Sequence, residues 1–191
     1  IRNKISLLVC DMAGTVINEQ GQIYKSLFNT LKHLNYNPNI DDIENWGGKE
    51  KRHILTQQIY KSVSMGEYVP ADLTHMVDIA EEKLIEDLKD SYFNKSGVSL
   101  MDDELFNFFD CARMNGIRIA LNTGYSKDFQ KEIINHFNLD SHIDDFISSE
   151  EVKYGRPYPY MIHELMTRFD IRHPKHVAKV CLLYTSPSPR D

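Results

Sequence analysis

Cysteine is scarce in this sequence: Cys10, Cys111 and Cys181 are the only three among 191 residues. None stands in a CxxC or other paired spacing. An odd, sparse set of this kind suits a reducing compartment and gives no disulfide framework. Cys10 lies in an apolar run and Cys111 at an apolar helical position, so both read as core thiols. No apolar run approaches the 18 or so residues that span a bilayer, and no signal peptide opens the chain. The chain therefore reads as soluble and cytoplasmic. Basic residues are not in excess: the formal net charge is -6. That balance disfavours nucleic acid and an anionic membrane as partners. A small anionic substrate then needs a local cationic site. No initiator Met is present, and Ile1 reads as a trimmed start. Internal repeats and low-complexity stretches are absent before residue 181.

What remains is an ordinary globular composition, 41% hydrophobic and 26% charged. It is long enough to bury a full core in one or two domains. The chain is organised around Ile5-Ser6-Leu7-Leu8-Val9-Cys10, a short apolar run that reads as a strand buried on both faces. It halts at Asp11, placed as the first residue to leave the sheet, where ligands bind in an open α/β sheet. Ala13-Gly14 permits a sharp turn and close approach of backbone to ligand. Residues 21–36 have helical spacing at Ile23, Leu27, Phe28, Leu31 and Leu34. Short helical periodicity over 40–46 ends at Gly47-Gly48. A second long helix starts at Lys49, with Ile54, Leu55, Ile59 and Val63 on one side. A third covers 71–93, capped by Asp72 or a neighbour. No strand pattern interrupts residues 20 to 97, so this stretch reads as an all-helical insertion.

Strand and helix then alternate. A helix is expected over 102–115, with Leu105, Phe108, Phe109 and Ala112 as its core face. Asp102-Asp103-Glu104 suits the N-terminal dipole of that helix, and Gly116 stops it. Residues 117–122 form a second buried strand, and Ser126 caps a helix over 127–137. A strand over 143–148, a helix over 157–169 and the start of a strand over 176–180 complete the pattern. Such alternation predicts an α/β fold with a doubly wound parallel sheet. The core comprises 1–18 and 97–180, and the helical insertion 19–96.

Three strand ends offer chemistry. Asp11 supplies a carboxylate able to attack phosphorus or hold a metal. Thr123 supplies a hydroxyl with backbone N–H groups beside it. Arg156 supplies a guanidinium just before a helix, with Pro157 suited to its first turn. Singly, Thr123 reads equally as a turn hydroxyl and Arg156 as a solvated loop cation; their joint order after Asp11 is harder to dismiss. A carboxylate attacking a dianionic phosphoryl group needs that charge neutralised, which Mg²⁺ and a fixed Arg accomplish.

Asp11-Met12-Ala13-Gly14-Thr15, Leu121-Asn122-Thr123-Gly124-Tyr125 and Gly155-Arg156-Pro157-Tyr158-Pro159-Tyr160-Met161 resemble three motifs of the haloacid dehalogenase superfamily, in its phosphonatase branch. The resemblance runs over residues 4–180. It implies a Rossmann-like core with the helical insertion as a mobile cap. Asp11 is then the nucleophile, Thr123 and Gly124 bind the phosphoryl oxygens, and Arg156 neutralises them. Mg²⁺ is held by Asp11, the Ala13 backbone carbonyl and acidic residues of a fourth motif. Members often dimerise through the cap, so a homodimer is an expectation too.

One absence sharpens the substrate class. Phosphatases of the superfamily carry an acid two residues after the nucleophile to protonate the leaving alcohol; here that position is Ala13. Cleavage of a P–C bond instead needs an electron sink on carbon, and a lysine Schiff base supplies one. The branch keeps such a lysine three residues after a cap Gly. Gly48-Lys49-Glu50-Lys51 matches, which makes Lys51 the candidate. An unperturbed amine is neutral at pH 7 about once in 2,500 molecules. A helix start, with Lys49 and Arg52 nearby, favours the neutral amine. Outside the resemblance, Lys51 reads as part of a solvated basic turn. Gly47 and Ile54 stand where members of the branch tend to have Met and His, so the substrate could be phosphonoacetaldehyde or a related phosphonate. The motifs also fit a phosphatase or phosphomutase acting on a small phosphate ester, and a non-catalytic phosphate-binding relative.

The remaining candidates are weaker. His173 and His176 read as a surface turn without a third ligand. Tyr158 and Tyr160 are expected against the core, with Tyr158 able to line the site. Residues 181–191 break the pattern, and they back-translate into a string resembling the transposase adapter used in sequencing libraries. They stand where the fourth motif should follow Val180, so a chain ending in them is expected to be inactive or poorly folded. Resequencing the locus past the Val180 codon is expected to read a Gly-Asp pair with a further Asp four residues on. A locus that encodes Cys181 to Asp191 naturally overturns that expectation.

Overall fold

The computed structural model describes residues 4–45, 50–64, 71–94 and 97–181. Thus Trp46, Gly47, Gly48 and Lys49, and nearly all of the 181–191 tail, lie outside the described residues. The chain forms two compact units, one of residues 1–18 and 98–191, the other of residues 19–97. The first holds a four-stranded parallel sheet. Its strands are β1 (Leu7–Asp11), β4 (Arg118–Thr123), β5 (Asp145–Ser148) and β6 (Val177–Val180), in the order β5-β4-β1-β6. A separate antiparallel pair, β2 (Ile17–Asn18) and β3 (Ser99–Leu100), lies where the chain leaves and re-enters this unit.

Strand order explains why the sheet is doubly wound. From β1 the chain steps to β4 and then β5, and α5 (Leu105–Met114) and α6 (Lys127–His136) make those connections. It then returns past β1 to β6 through α7 (Tyr160–Arg168). Right-handed crossovers in opposite directions put helices on opposite faces. On the α7 face Leu7, Val9, Ala120, Ile147 and Val177 pack with Met161 and Leu165 into one buried cluster. All five β1 residues are buried, as a central strand covered on both sides requires.

Several expectations shift at the element ends. Asp11 and Thr123 are the last residues of their strands, not the first outside them; Asp11 pairs with Asn122 in register. The helix expected over 102–115 starts at Leu105. Asp102 forms a turn ahead of it, its carboxylate accepting from Glu104 N at 2.8 Å, so the acidic triplet precedes the first turn. Gly116 ends α5 at φ 77°, with Ile117 N donating to Ala112 O, a left-handed cap that favours glycine. The helix expected from Pro157 starts at Tyr160; the Arg156–Pro157 peptide is cis, and residues 155–158 form a turn. Ser126 caps α6 as expected, accepting from Phe129 N.

Three side-chain readings are corrected. Phe108 is exposed while Phe109 is buried, because consecutive helical residues point about 100° apart and only one meets the sheet. Cys111 is exposed, whereas Cys10 is buried, and burial pushes its thiol pKa up to about 11. Tyr158 and Tyr160 leave the core and stack at 5.9 Å between ring centroids, beside Tyr154.

Helices are the regular elements among the described residues of the second unit. It contains α1 (Gln22–His33), α2 (Ile40–Asn45), α3 (Lys51–Val63) and α4 (Leu73–Lys89), which runs on into a π-helical turn, Asp90–Asn94. Asp72 occupies the N-cap of α4 without a side-chain cap bond. Ile23, Leu27, Leu31, Ile54, Leu55, Ile59, Val77 and Leu84 are among its buried residues. Polar contacts within it include a part-buried one, Thr30 Oγ1 donating to Asp87 at 2.8 Å, and a buried one, the Tyr92 hydroxyl donating to Glu19 at 3.2 Å.

Phe109→Ala is expected to lower stability by about 3–5 kcal/mol, and Phe108→Ala by about 0.5 kcal/mol or less. Chemical denaturation of the two variants checks the split; equal losses would overturn the assignment of the helix faces.

Candidate active site

The parallel sheet gathers the chemistry at one edge. Asp11 ends β1 directly opposite Asn122, and Thr123, the next residue, ends the adjacent strand β4. After Asp11 the backbone reverses tightly: the Met12 carbonyl accepts from Thr15, Val16 and Ile17 N. Gly14, at φ 74°, supplies the left-handed residue this turn needs, and its N donates to Ile17 O at 2.8 Å. Beneath, the Gln130 amide reaches Met12 Sδ at 3.3 Å.

Asp11 is almost wholly buried, at 2% exposure. One carboxylate oxygen accepts from Met12 N at 3.0 Å. The other accepts from Arg156 Nη1 at 3.1 Å and from the Cys181 thiol at 3.2 Å. A buried carboxylate without a cation costs several kcal/mol, so Arg156 is a partner the fold requires. Gly124 lies against the same guanidinium: a Cβ there would stand 3.6 Å from Nη2. Thr123, also 2% exposed, accepts from Tyr125 N through Oγ1 at 3.2 Å, which leaves its O–H proton able to donate to a ligand. The structure thus brings together Asp11, Thr123, Gly124 and Arg156.

Lys179 is a member of this cluster that the sequence reading missed. Its amine donates to Asn122 Oδ1 at 2.9 Å and to Val180 O at 3.0 Å. Burial pushes its pKa below the usual lysine value, and the nearby Asp11 charge opposes that shift. A cation inside an otherwise apolar strand, Val177-Ala178-Lys179-Val180, was the available signal.

The metal expectation can be weighed on its donors. Mg²⁺ takes hard oxygen ligands and keeps several waters and phosphoryl oxygens in its shell. The Asp11 carboxylate and the Ala13 carbonyl fit that chemistry, and no described backbone donor occupies the Ala13 carbonyl. Among the described residues no group of three or more His, Cys, Asp or Glu gathers as a metal cluster. His173 and His176 flank a short exposed turn, in line with the expectation for them.

Lys51 opens α3 and is half-buried in the helical unit. Arg52 does not act as an uncompensated cation beside it: it pairs with Asp78 at 2.6 Å and with Glu81. Of the two neighbouring charges expected to disfavour the charged amine, Lys49 lies outside the described residues and Arg52 is offset by two carboxylates. The helix start remains. No described helix is long and apolar enough to cross a membrane.

Arg156→Ala strands Asp11 with Lys179 as its nearest remaining cation. It is expected to destabilise the chain by about 2 kcal/mol, less than the 3–5 typical of an unrelieved buried charge. Asp11→Asn in the same background should recover part of that loss. A double-mutant cycle by denaturation checks this, and additive losses would overturn the pairing.

The family model for haloacid dehalogenase-like hydrolases matches residues 5–180. No curated protein matches the chain. Solved structures share its fold at low identity. A phosphonoacetaldehyde hydrolase-like protein from Oleispira antarctica superposes with a TM-score of 0.72 at 17% identity, over 92% of this chain and 64% of that one. A predicted phosphoglycolate phosphatase from Haemophilus somnus gives 0.71 at 15%, over 92% and 76%. CbbY from Rhodobacter sphaeroides, solved with phosphate, gives 0.68 at 13%, over 92% and 76%. With a family match across nearly its whole length and a carboxylate–guanidinium pair at the strand ends, the chain belongs to the haloacid dehalogenase-like hydrolases.

Proposed function

We propose that this hydrolase cleaves the P–C bond of a small phosphonate such as phosphonoacetaldehyde, with Asp11 as nucleophile and Lys51 as Schiff-base lysine. The carrying observation is Ala13. A phosphate ester leaves as an alkoxide that needs a proton, and a methyl side chain two residues after the nucleophile cannot give one. A carbon leaving group needs an electron sink instead. The Lys51 amine adds to the substrate aldehyde and loses water, forming an iminium beside the P–C bond. An Asp11 oxygen bonds to phosphorus as that bond breaks, and its electron pair passes through carbon to the iminium nitrogen, giving an enamine. Protonation and hydrolysis release acetaldehyde and free Lys51. Water then cleaves the aspartyl-phosphate, which releases phosphate and restores Asp11.

Arg156 and the Thr123 hydroxyl support this reading because they can hold the three phosphoryl oxygens while charge shifts onto them. Asp11 and the Ala13 carbonyl would hold Mg²⁺, which supplies further neutralisation there. The residue 19–97 unit acts as the cap in this proposal, with dimerisation through it, in a reducing cytoplasm.

The test uses the full gene product with Mg²⁺. Phosphate release from phosphonoacetaldehyde is expected to exceed that from a panel of phosphate esters. Borohydride is expected to trap the substrate on Lys51, located by peptide mass. Asp11→Asn and Lys51→Arg should each lower kcat by about 10³-fold or more. Faster turnover of esters, or turnover that survives Lys51→Arg, would overturn the phosphonate reading in favour of a phosphatase.

A further inference from the structure

Lys179 does something unusual for a strand residue. It lies opposite Val9 on β1, and its amine bonds Asn122 on β4 at 2.9 Å. Because β1 lies between β6 and β4, the side chain crosses the whole central strand. Outer strands flanking a central one are about 10 Å apart, a gap that only a long side chain meeting another polar one can close. Directly opposite residues of a parallel pair point to the same face, so Asp11, Asn122 and Lys179 share the face that α7 covers. Below them that face is apolar: Leu7, Val9, Ala120 and Val177. The ammonium therefore runs across the sheet at the level where the apolar layer ends and the Asp11 carboxylate begins.

Charge counting gives this crossing a purpose. Arg156 is paired with Asp11, so the two side chains together are neutral and Arg156 alone leaves no excess positive charge for a dianion. Lys179 adds one surplus positive charge, fixed in place by Asn122 and the Val180 carbonyl. Desolvating an ammonium is costly, and two oriented oxygen acceptors offset part of that cost. An apolar residue would fill the same position on the Val9 face more cheaply, as Val177 does two residues earlier.

We propose that Lys179 is a positioning residue of the phosphoryl site: tethered across β1 to Asn122, it supplies the surplus charge that draws a dianionic phosphoryl group to Asp11. This deepens the proposed function and rests on its reading of the strand ends as a phosphoryl site. Lys179 acts through the field at Asp11 and through Asn122, whose neighbour Thr123 meets the ligand.

The experiment measures inorganic phosphate binding by titration calorimetry on the full gene product, beside kcat, KM and the thermal midpoint. Lys179→Met is expected to weaken phosphate binding about tenfold or more, while Lys179→Arg, which keeps the charge, stays within about threefold of wild type. Asn122→Leu leaves the ammonium but removes its anchor, and is expected to weaken phosphate binding by about two- to fivefold. A purely structural lysine would instead lower the thermal midpoint in Lys179→Met with phosphate binding unchanged, which overturns the proposal. Equal losses in Lys179→Met and Lys179→Arg overturn it as well. If Lys179→Met does not fold, wild-type phosphate affinity in Asn122→Leu is the overturning result. A wild type that binds phosphate but turns over no phosphonate or ester fails the proposed reaction alone; one that binds no phosphate fails both.

Discussion

A buried carboxylate that cannot stand alone governs the main unit of this protein. Asp11 ends the central strand, with apolar layers on both sheet faces and almost no contact with water. Such a group must either lose its charge or gather cations and hydrogen-bond donors. Here Arg156 arrives from a loop far along the chain, and Met12 N caps the other oxygen. Lys179 approaches from the neighbouring strand and Asn122 from the strand on the other side. Parallel pairing makes this convergence cheap, since β1, β4 and β6 all end at the same edge.

The same constraint accounts for the turn that follows. A chain leaving a buried strand end must reverse without blocking the carboxylate. The Met12 carbonyl collects three backbone donors, and Gly14 takes a left-handed conformation to let it do so. Ala13 sits inside that turn. The proposed phosphonate chemistry rests on that position, where a methyl side chain offers no acid for an ester leaving group.

Much of the main unit was legible because its signals are local. The apolar runs at residues 5–10 and 117–122, the Ser126 cap and the Gly116 stop each follow from their neighbours alone, and each appears in the fold. Asp11, Thr123 and Arg156 were readable as a set because each lies at or beyond the carboxyl end of an apolar run. Errors arose where a helix start or a helix face had to be chosen. Phe108 and Phe109 are equally apolar, and only the position of the sheet decides which is buried. Tyr158 and Tyr160 are large enough for a core, yet the turn ahead of α7 carries them outward. Arg52 looked like an uncompensated cation until α4 brought Asp78 and Glu81 against it.

The sequence by itself determined the α/β alternation, the helical character of the insertion and the positions of Asp11, Thr123 and Arg156 at or beyond the ends of apolar runs. Periodicity and turn chemistry act within a few residues, and so can be read from them. Only the tertiary structure decided that Arg156 pairs with Asp11, that Asn122 stands beside it, and that Lys179 spans the central strand between them. Those contacts join residues 57 to 145 positions apart. They depend on strand order, which no local pattern in the chain encodes.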